Sequence, residues 1–396
     1  MRSSLAQIVS FLGILILFSS FHSENKASKK IVVENKLHFD RKEVVSIDLN
    51  ANKKLSKIKD FNTLLVKDEK GKLLVTQLID NNTDGTPDEL LFQAIVAANS
   101  KVVYTLFSDS SFSTPKSNVT TYARFVPERI DDFAWENDKV AFRTYGPEAQ
   151  RLVEEGKEGG TLSSGIDLWL KKVNYSIIDS WYAKNVTAPG YYHIEHGEGY
   201  DPYHVGSSRG TGGTGIWEKD SLHISNNYTK YRVIATGPLR TIFELDYAPW
   251  SKYQVTETKR ISLDLGSNFS KFENTISSAN PIPNYTIGIT LHQEKGTVNI
   301  DAQKGIFRHW EPIDDSFVGE GIVIDPKSVK SAMDHRSKAV DQSQILVVTA
   351  PKNNTSTYYV GFAWTGSGQV QSVQDWDAML EKQAQIIQNP LLVTIK

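Results

Sequence analysis

A mainly β protein is predicted: a small N-terminal β-sandwich, then a large antiparallel β-sandwich, with few helices. Three observations lead there. Between Ile31 and Phe107, short runs rich in Val, Leu and Ile alternate with Asn, Asp, Gly and Lys turns, the pattern of strands joined by tight connections. Further on the alternation lengthens: over residues 253–263 the odd positions carry Tyr, Val, Glu, Lys, Ile and Leu, and the even ones Gln, Thr, Thr, Arg and Ser. Long strands with one wet face suit two stacked antiparallel sheets. Finally, the chain has no cysteine, so no disulfide supports the fold and its core must be large enough to stand without one.

The elements follow in order. Arg2 precedes an apolar run from Leu5 to Phe18 and then a polar stretch, as in a signal peptide, here placed at residues 1–24. The run is shorter than the roughly 20 residues that span a bilayer; an uncleaved N-terminal anchor is the alternative. Export without disulfides suits a bacterial periplasmic or secreted protein. The remaining length, roughly 370 residues, suggests two domains. The first, 30–110, holds predicted strands at 31–39, 43–49, 63–68, 73–79, 89–96 and 101–107. A Ser/Thr/Pro/Asn stretch at 108–121 reads as the linker. The second, 120–396, holds strands at 231–236, 239–247, 253–265, 269–277, 285–292 and 358–364. Helices are predicted at 177–184 and 373–388. In the latter, Trp376, Met379, Leu380 and Ile387 recur at roughly helical spacing, giving an amphipathic helix on the outside of the sheets.

Charge excludes some functions. The formal net charge is −2 and the charges are mixed along the chain, whereas a nucleic-acid or membrane-surface protein would cluster its basic residues. No nucleic-acid partner is expected, and no membrane partner after signal removal. Aromatics make up 10% of the residues; their flat faces suit stacking on sugar rings, and equally suit a large β-core.

Residues 191–217 carry the densest chemistry: three of the nine histidines, two glutamates, an aspartate, four tyrosines and an arginine among glycines. Buried core has little use for that composition, since each ionisable group taken from water needs a partner. The glycines argue against a regular helix or strand, so an irregular active-site loop is expected. His193, Glu195, His196, Glu198 and His204 admit three readings: acid–base catalysis, a zinc or manganese site, or histidines satisfied by nearby carboxylates. Gly197 and Gly199 oppose the helix that an H-E-x-x-H zinc motif needs. The stretch 210–215 is a literal G-x-G-x-x-G, but no strand–turn–helix context surrounds it. Its glycines are expected to let backbone approach a substrate. The stretch 80–89, DNNTDGTPDE, resembles the start of a calcium loop, yet Leu91 stands where an EF-hand places Glu. An Asx-rich hairpin turn is the other reading.

Three segments together carry a family resemblance: ERIDDFAWENDKVAFRTYGPE, SSGIDLWLKKVNYSIIDSWY and HIEHGEGYDPYHVGSSRGTGGTGIW, with DGTPDELLFQ upstream. They resemble a bacterial family, long labelled a domain of unknown function, of polysaccharide-utilisation gene clusters. Its described activity is an oligosaccharide dehydratase of the ulvan pathway. GPLRTIFELDYAPW and TETKRISLDLGSNFSKFENTIS also look like the galactose-mutarotase-type supersandwich, so the resemblance implies a β supersandwich for the second domain. It further implies a uronic-acid-ended, sulfated oligosaccharide as partner, dehydrated at C4 and C5 of its non-reducing-end residue to a 4,5-unsaturated one.

That chemistry sets three roles. A cation must neutralise the carboxylate as enolate-like charge develops; a base must take the C5 proton; an acid must protonate the departing C4 hydroxyl. Arg209 is the expected carboxylate clamp, because guanidinium binds carboxylate bidentately, with Arg143 its rival. His196 and His204 are the expected base and acid, with His193, Tyr200 and Tyr203 as alternates. A glucuronic residue presents H5 and O4 on one side, so one phenol could serve twice; an iduronic residue favours groups on opposite faces. Trp217 and Trp181 are expected to bind sugar. No cofactor is required, and a divalent cation is the open alternative. A polysaccharide lyase and a non-catalytic glycan-binding protein remain the competing functions.

Overall fold

A computed structural model describes residues 28–55, 58 and 60–396; the segment read as a signal peptide lies outside them. The described chain is mainly β, in antiparallel sheets, as the alternation predicts. Among the described residues, no helix is long and apolar enough to cross a membrane.

The N-terminal sandwich pairs Leu64–Lys67, Lys101–Ser108 and Lys29–Glu34 in one sheet, and Arg41–Asp48, Glu89–Val96 and Thr76–Ile79 in another. Val33, Leu64 and Leu106 from the first meet Ile47, Leu90 and Phe92 from the second in one buried cluster. The chain's last strand, Leu392–Ile395, completes the first sheet beside Lys29–Glu34. The first and last described strands therefore pair in the small sandwich. Residues 80–88 turn between Thr76–Ile79 and Glu89–Val96. Asp80 accepts from the Asp84 and Gly85 amides, and Asp84 from that of Thr86. These carboxylates serve the hairpin as Asx turns.

Residues 109–120 contain no helix or strand and lead into the large sandwich. One of its sheets has eight strands, ordered Tyr228–Ala235, Arg240–Trp250, Val255–Asp264, Phe269–Ser277, Thr355–Trp364, Ser316–Ile324, Ile306–Ile313 and Thr297–Asp301. Opposite lie two five-stranded sheets. One is ordered Gly199–Tyr200, Asp167–Lys171, Ala141–Thr144, Asp132–Glu136 and Tyr122–Val126; the other Ser221–His223, Thr211–Glu218, Tyr285–Thr290, Gln344–Thr349 and Val329–His335. A parallel bridge between Ile166 and Gly210 joins them. Leu245, Ile261, Phe272 and Val360 of the eight-stranded sheet share a core with Trp135, Phe142, Leu168, Ile287 and Val347 of the other two.

Helices lie outside the sheets. Val373–Gln388 starts at a capping box, Ser372 with Asp375, which satisfies amides a helix start leaves open. Its Trp376, Leu380 and Ala384, four residues apart, pack on Phe269, Trp310 and Val323. Gly319 makes room: a Cβ there would overlap the Trp376 ring. Gly319→Ala is therefore expected to cost about 1–3 kcal/mol through overpacking, read as a lower urea midpoint with unchanged slope. Ile178–Thr187 packs on the outer face of the first five-stranded sheet, where Trp181 and Tyr182 meet Trp169 and Ala134. Its first turn is capped by Glu136, which accepts from the Ile177 and Ile178 amides while paired with buried Lys171 at 2.6 Å. A third helix, Pro147–Glu154, was not predicted.

Candidate functional site

The polar loop begins in a short turn, Tyr191–His193, entered through Gly190 at φ 85°. It then adds Gly199–Tyr200 to the edge of Asp167–Lys171. That pairing places Asp201 beneath the loop, beside Arg143 from Ala141–Thr144. Arg143 is buried and donates from Nε to Asp167 Oδ2 at 2.7 Å and from Nη2 to Asp201 Oδ2 at 2.8 Å. Asp132 Oδ2 lies 3.6 Å from its Nη1. The Tyr145 hydroxyl donates to Asp167 at 3.0 Å and that of Tyr182 to Asp132 at 3.1 Å. Three buried carboxylates thus share two guanidiniums, Arg143 and Arg129, the latter 4.0 Å from Asp132. Negative charge is in excess, and Oδ1 of both Asp132 and Asp201 has no hydrogen-bond partner. Burial, only partly countered by Arg143, pushes Asp132 up to about 6 and holds Asp201 well above the usual carboxylate range.

A carboxyl raised in the folded state favours folding below its unfolded value, near 3.8, and that contribution fades as pH rises through about 6. Relative to Asp132→Asn, the wild type should lose about 2 kcal/mol of stability between pH 4 and pH 7. Urea melts of both proteins across that range measure it.

Above this cluster opens a cleft of about 620 Å³ lined by Arg129, Arg143, Tyr145, Tyr192, His193 and the Tyr203–His204 pair, among others. Arg129 lines it too; its Nη1 is buried, makes no hydrogen bond and lies 4.0 Å from Asp132 Oδ1. His193 is half exposed; its Nδ1 lies 2.8 Å from the Asp201 carbonyl and 3.6 Å from the Asp201 carboxylate. A carbonyl only accepts, so Nδ1 carries the proton, and in the neutral ring Nε2 is left with its lone pair. His204 is exposed, with Nε2 3.3 Å from Asp341.

Tyr203 and His204 also border a second cleft, about 730 Å³, whose wall includes His292, Glu311, Asp314 and Asp341. His292 Nε2 lies 2.8 Å from the His204 carbonyl, and Nδ1 lies 2.7 Å from Glu311 Oε1. Burial would lower this imidazole, but Glu311 and Glu320 win and raise it to about 9. Deeper in, Glu320 accepts from Thr211 at 2.8 Å and pairs with His309 Nδ1 at 2.6 Å.

Residues 33–393 match a family model described as a domain of unknown function, DUF4861. The chain belongs to the DUF4861 family. It is 42% identical over 392 residues to the uncharacterized protein P7 of Formosa agariphila, covering 98% of each chain. Among solved structures it is similar to a protein in the glycosyl hydrolase family 38 from Enterococcus faecalis, with TM-score 0.50 and 11% identity, covering 93% of this chain and 47% of that one. An alpha-mannosidase from Enterococcus faecalis V583 gives TM-score 0.51 and 10% identity, covering 93% and 46%. The DUF4861 chain thus spans about half the length of these structures, and at such identity the likeness is one of fold.

The DUF4861 fold brings His193, Arg143, Tyr203 and His204 to one cleft, and separates the other predicted residues from it. Arg209, expected as the carboxylate clamp, is buried beneath the sheets, where its Nη1 donates to Ser164 at 2.8 Å. Desolvation lowers it to about 10, and it lines neither cleft. Arg209→Met, which keeps most of its volume, should leave turnover within about threefold, since a removed charge that touches no substrate changes no transition-state contact; steady-state rates check this. His196 is exposed and stacks on Tyr191 at 4.0 Å, away from both clefts. The Tyr203 hydroxyl points inward to Thr211 at 2.9 Å, and burial with Glu320 and Glu311 raises it well above the ordinary phenol range, so it is no base. Tyr200 donates to Asp314 at 2.6 Å, and burial together with that carboxylate raises it too.

Neither tryptophan offers a sugar platform in these clefts. Trp181 is buried, stacked on Trp169 at 5.2 Å, and its Nε1 donates to Glu198 at 3.0 Å. Trp217 sits edge-on to His335, also outside both clefts. Glu195 is taken by Lys172 and the Gly197 and Gly199 amides, so the loop residues weighed as a metal set do not converge. Nor is the whole segment irregular: Thr211–Glu218 is a strand. Gly210, at φ +52°, brings the backbone against the Ile166 carbonyl, so close approach here is to a neighbouring strand rather than to substrate. Arg129, Tyr145, Tyr192 and the His292–Glu311–Glu320 group were not foreseen. For Arg129 the available signal was a basic residue beside an acidic pair, in PERIDD, while Tyr192 lies inside the polar segment itself.

Proposed function

We propose that the protein is a dehydratase that eliminates water across C4 and C5 of the non-reducing-end uronic acid of sulfated, ulvan-type oligosaccharides. One observation carries this reading: the Arg129 guanidinium and His193, whose Nδ1 is anchored on the Asp201 carbonyl, line one cleft. Arg129 holds the uronate carboxylate and the charge that spreads onto it in the transition state. Arg143 is already occupied by Asp167 and Asp201 and acts behind it as a positioning residue. His193 Nε2 takes the C5 proton, the C4–O bond breaks as the C4–C5 double bond forms, and the hydroxyl leaves as water with a proton from His204, which Asp341 supports. Solvent then resets both imidazoles. No cofactor enters this sequence.

The family resemblance supports the substrate class. The two solved neighbours, described as a glycosyl hydrolase family 38 protein and an alpha-mannosidase, carry this fold in a carbohydrate context. Work at the cleft requires export to meet a polysaccharide product, which agrees with the periplasmic or secreted location read from the N-terminal segment. The test adds saturated uronic-ended oligosaccharides and follows near-ultraviolet absorbance of the conjugated double bond. A rise that requires Arg129 is expected. No rise with glucuronic- or iduronic-ended substrate would contradict the proposal.

A further inference from the structure

We propose that His292, Glu311 and Glu320 form a divalent-cation site of the zinc–manganese class at the wall of the second cleft. The three ligands are none of the proposed proton-transfer groups, although His292 rests on the His204 carbonyl, and the inference goes beyond the dehydratase reading. One ligand atom from each of the three residues lies within 4.8 Å of the others. Glu320 is fully buried, and the Glu311 and His292 side chains are 8% and 12% exposed.

The groups around these three atoms orient them as groups around a metal do. The His292 Nε2 proton goes to the His204 carbonyl, which turns Nδ1 toward the carboxylates, where a cation would take the place of an Nδ1 proton. Nδ1 is buried and makes no hydrogen bond; Glu311 Oε1 is near it, at 2.7 Å, but off the line a ring N–H would take. Glu320 is held in place by His309 at 2.6 Å and Thr211 at 2.8 Å, the outer support that ligating carboxylates receive. Two buried carboxylates facing one imidazole require a positive charge among them. A dication at these three atoms would supply it, in place of protons on His292 and on His309, which pairs with Glu320.

One imidazole and two carboxylates suit zinc or manganese better than calcium, which takes six to eight oxygens. Three protein ligands leave a position open toward the cleft, where Glu294, Asp314 and Asp341 against Lys295 and Lys338 also favour a cation. Through the His204 carbonyl, the bound ion would order the segment that separates the two clefts.

Binding is tested without substrate, so its failure and failure of the dehydratase reading are separable. The full chain is stripped with chelator and dialysed, then titrated calorimetrically with Zn²⁺, Mn²⁺ or Ca²⁺, while elemental analysis and melting curves are recorded. The proposal expects one equivalent of Zn²⁺ or Mn²⁺, a raised melting temperature with that ion, and weaker Ca²⁺ binding. Glu311→Gln, close in shape, and His292→Ala should each weaken binding by at least about tenfold, and His309→Asn by about 10–100-fold. A Co²⁺ absorption spectrum that changes in these variants supplies a readout independent of stability. Folded wild type that takes up neither Zn²⁺ nor Mn²⁺, or variants that bind as tightly as wild type, would overturn the site.

Discussion

His193→Ala is expected to lower kcat by about 10²–10⁴-fold, the range a positioned proton-transfer group contributes. KM should move little, because the substrate carboxylate is held by Arg129 rather than by the imidazole. The ring is half exposed and its one strong contact is the Asp201 carbonyl, so the melting temperature should change little as well. His193→Gln keeps a donor near that carbonyl but no lone-pair nitrogen of comparable basicity, and should not rescue turnover. Stopped reactions on one oligosaccharide, with thermal melts of each variant, measure this. A kcat within about fivefold of wild type would remove His193 from proton transfer and shift that role to His204.

The second large effect is on stability. Arg143→Met should cost about 3–5 kcal/mol, because removing one partner of a buried charge network leaves the others without compensation. Asp167 and Asp201 would lose their charged donor in one step, and Asp132 its nearer one. They would answer partly by taking up protons, so the penalty should shrink as pH falls from 8 toward 5. Arg143→Lys should recover only part, since an ammonium cannot reproduce the two-sided guanidinium contact with Asp167 and Asp201. Urea unfolding at both pH values tests this. A loss below about 1 kcal/mol at pH 8 would show that the carboxylates are already protonated in the wild type.

Much of the fold was legible in the sequence because its strands have one wet face. The expected strand at 269–277 and helix at 373–388 coincide with Phe269–Ser277 and Val373–Gln388. What escaped has a physical reason. Ile306–Ile313 is a strand with Arg308, His309 and Glu311 all buried, so polar side chains break the apolar pattern that marks a strand. Thr211–Glu218 hides behind glycines that serve a bulge and close strand contacts. The return of Leu392–Ile395 to the first sheet is a long-range pairing that no local window contains.

The site was legible in part, for a related reason. Composition located the loop, and His193 and His204 within it, but not which way each side chain faces. Arg209 and Trp181 have the residue types of binding groups, yet the loop before Thr211–Glu218 and the helix Ile178–Thr187 that carry them turn both inward. His292 and Glu311, 19 residues apart, meet because one follows Tyr285–Thr290 and the other ends up on Ile306–Ile313, across the sandwich. Only the folded chain brings them to the back of the His204 loop.

Product mass tests the central claim most directly. On a defined oligosaccharide ending in a saturated uronic acid, wild type should yield a product of unchanged chain length that has lost one water, and Arg129→Ala should yield almost none. Shortened products would mean a lyase, and an unaltered oligosaccharide would mean a binding protein; either result contradicts the dehydratase account.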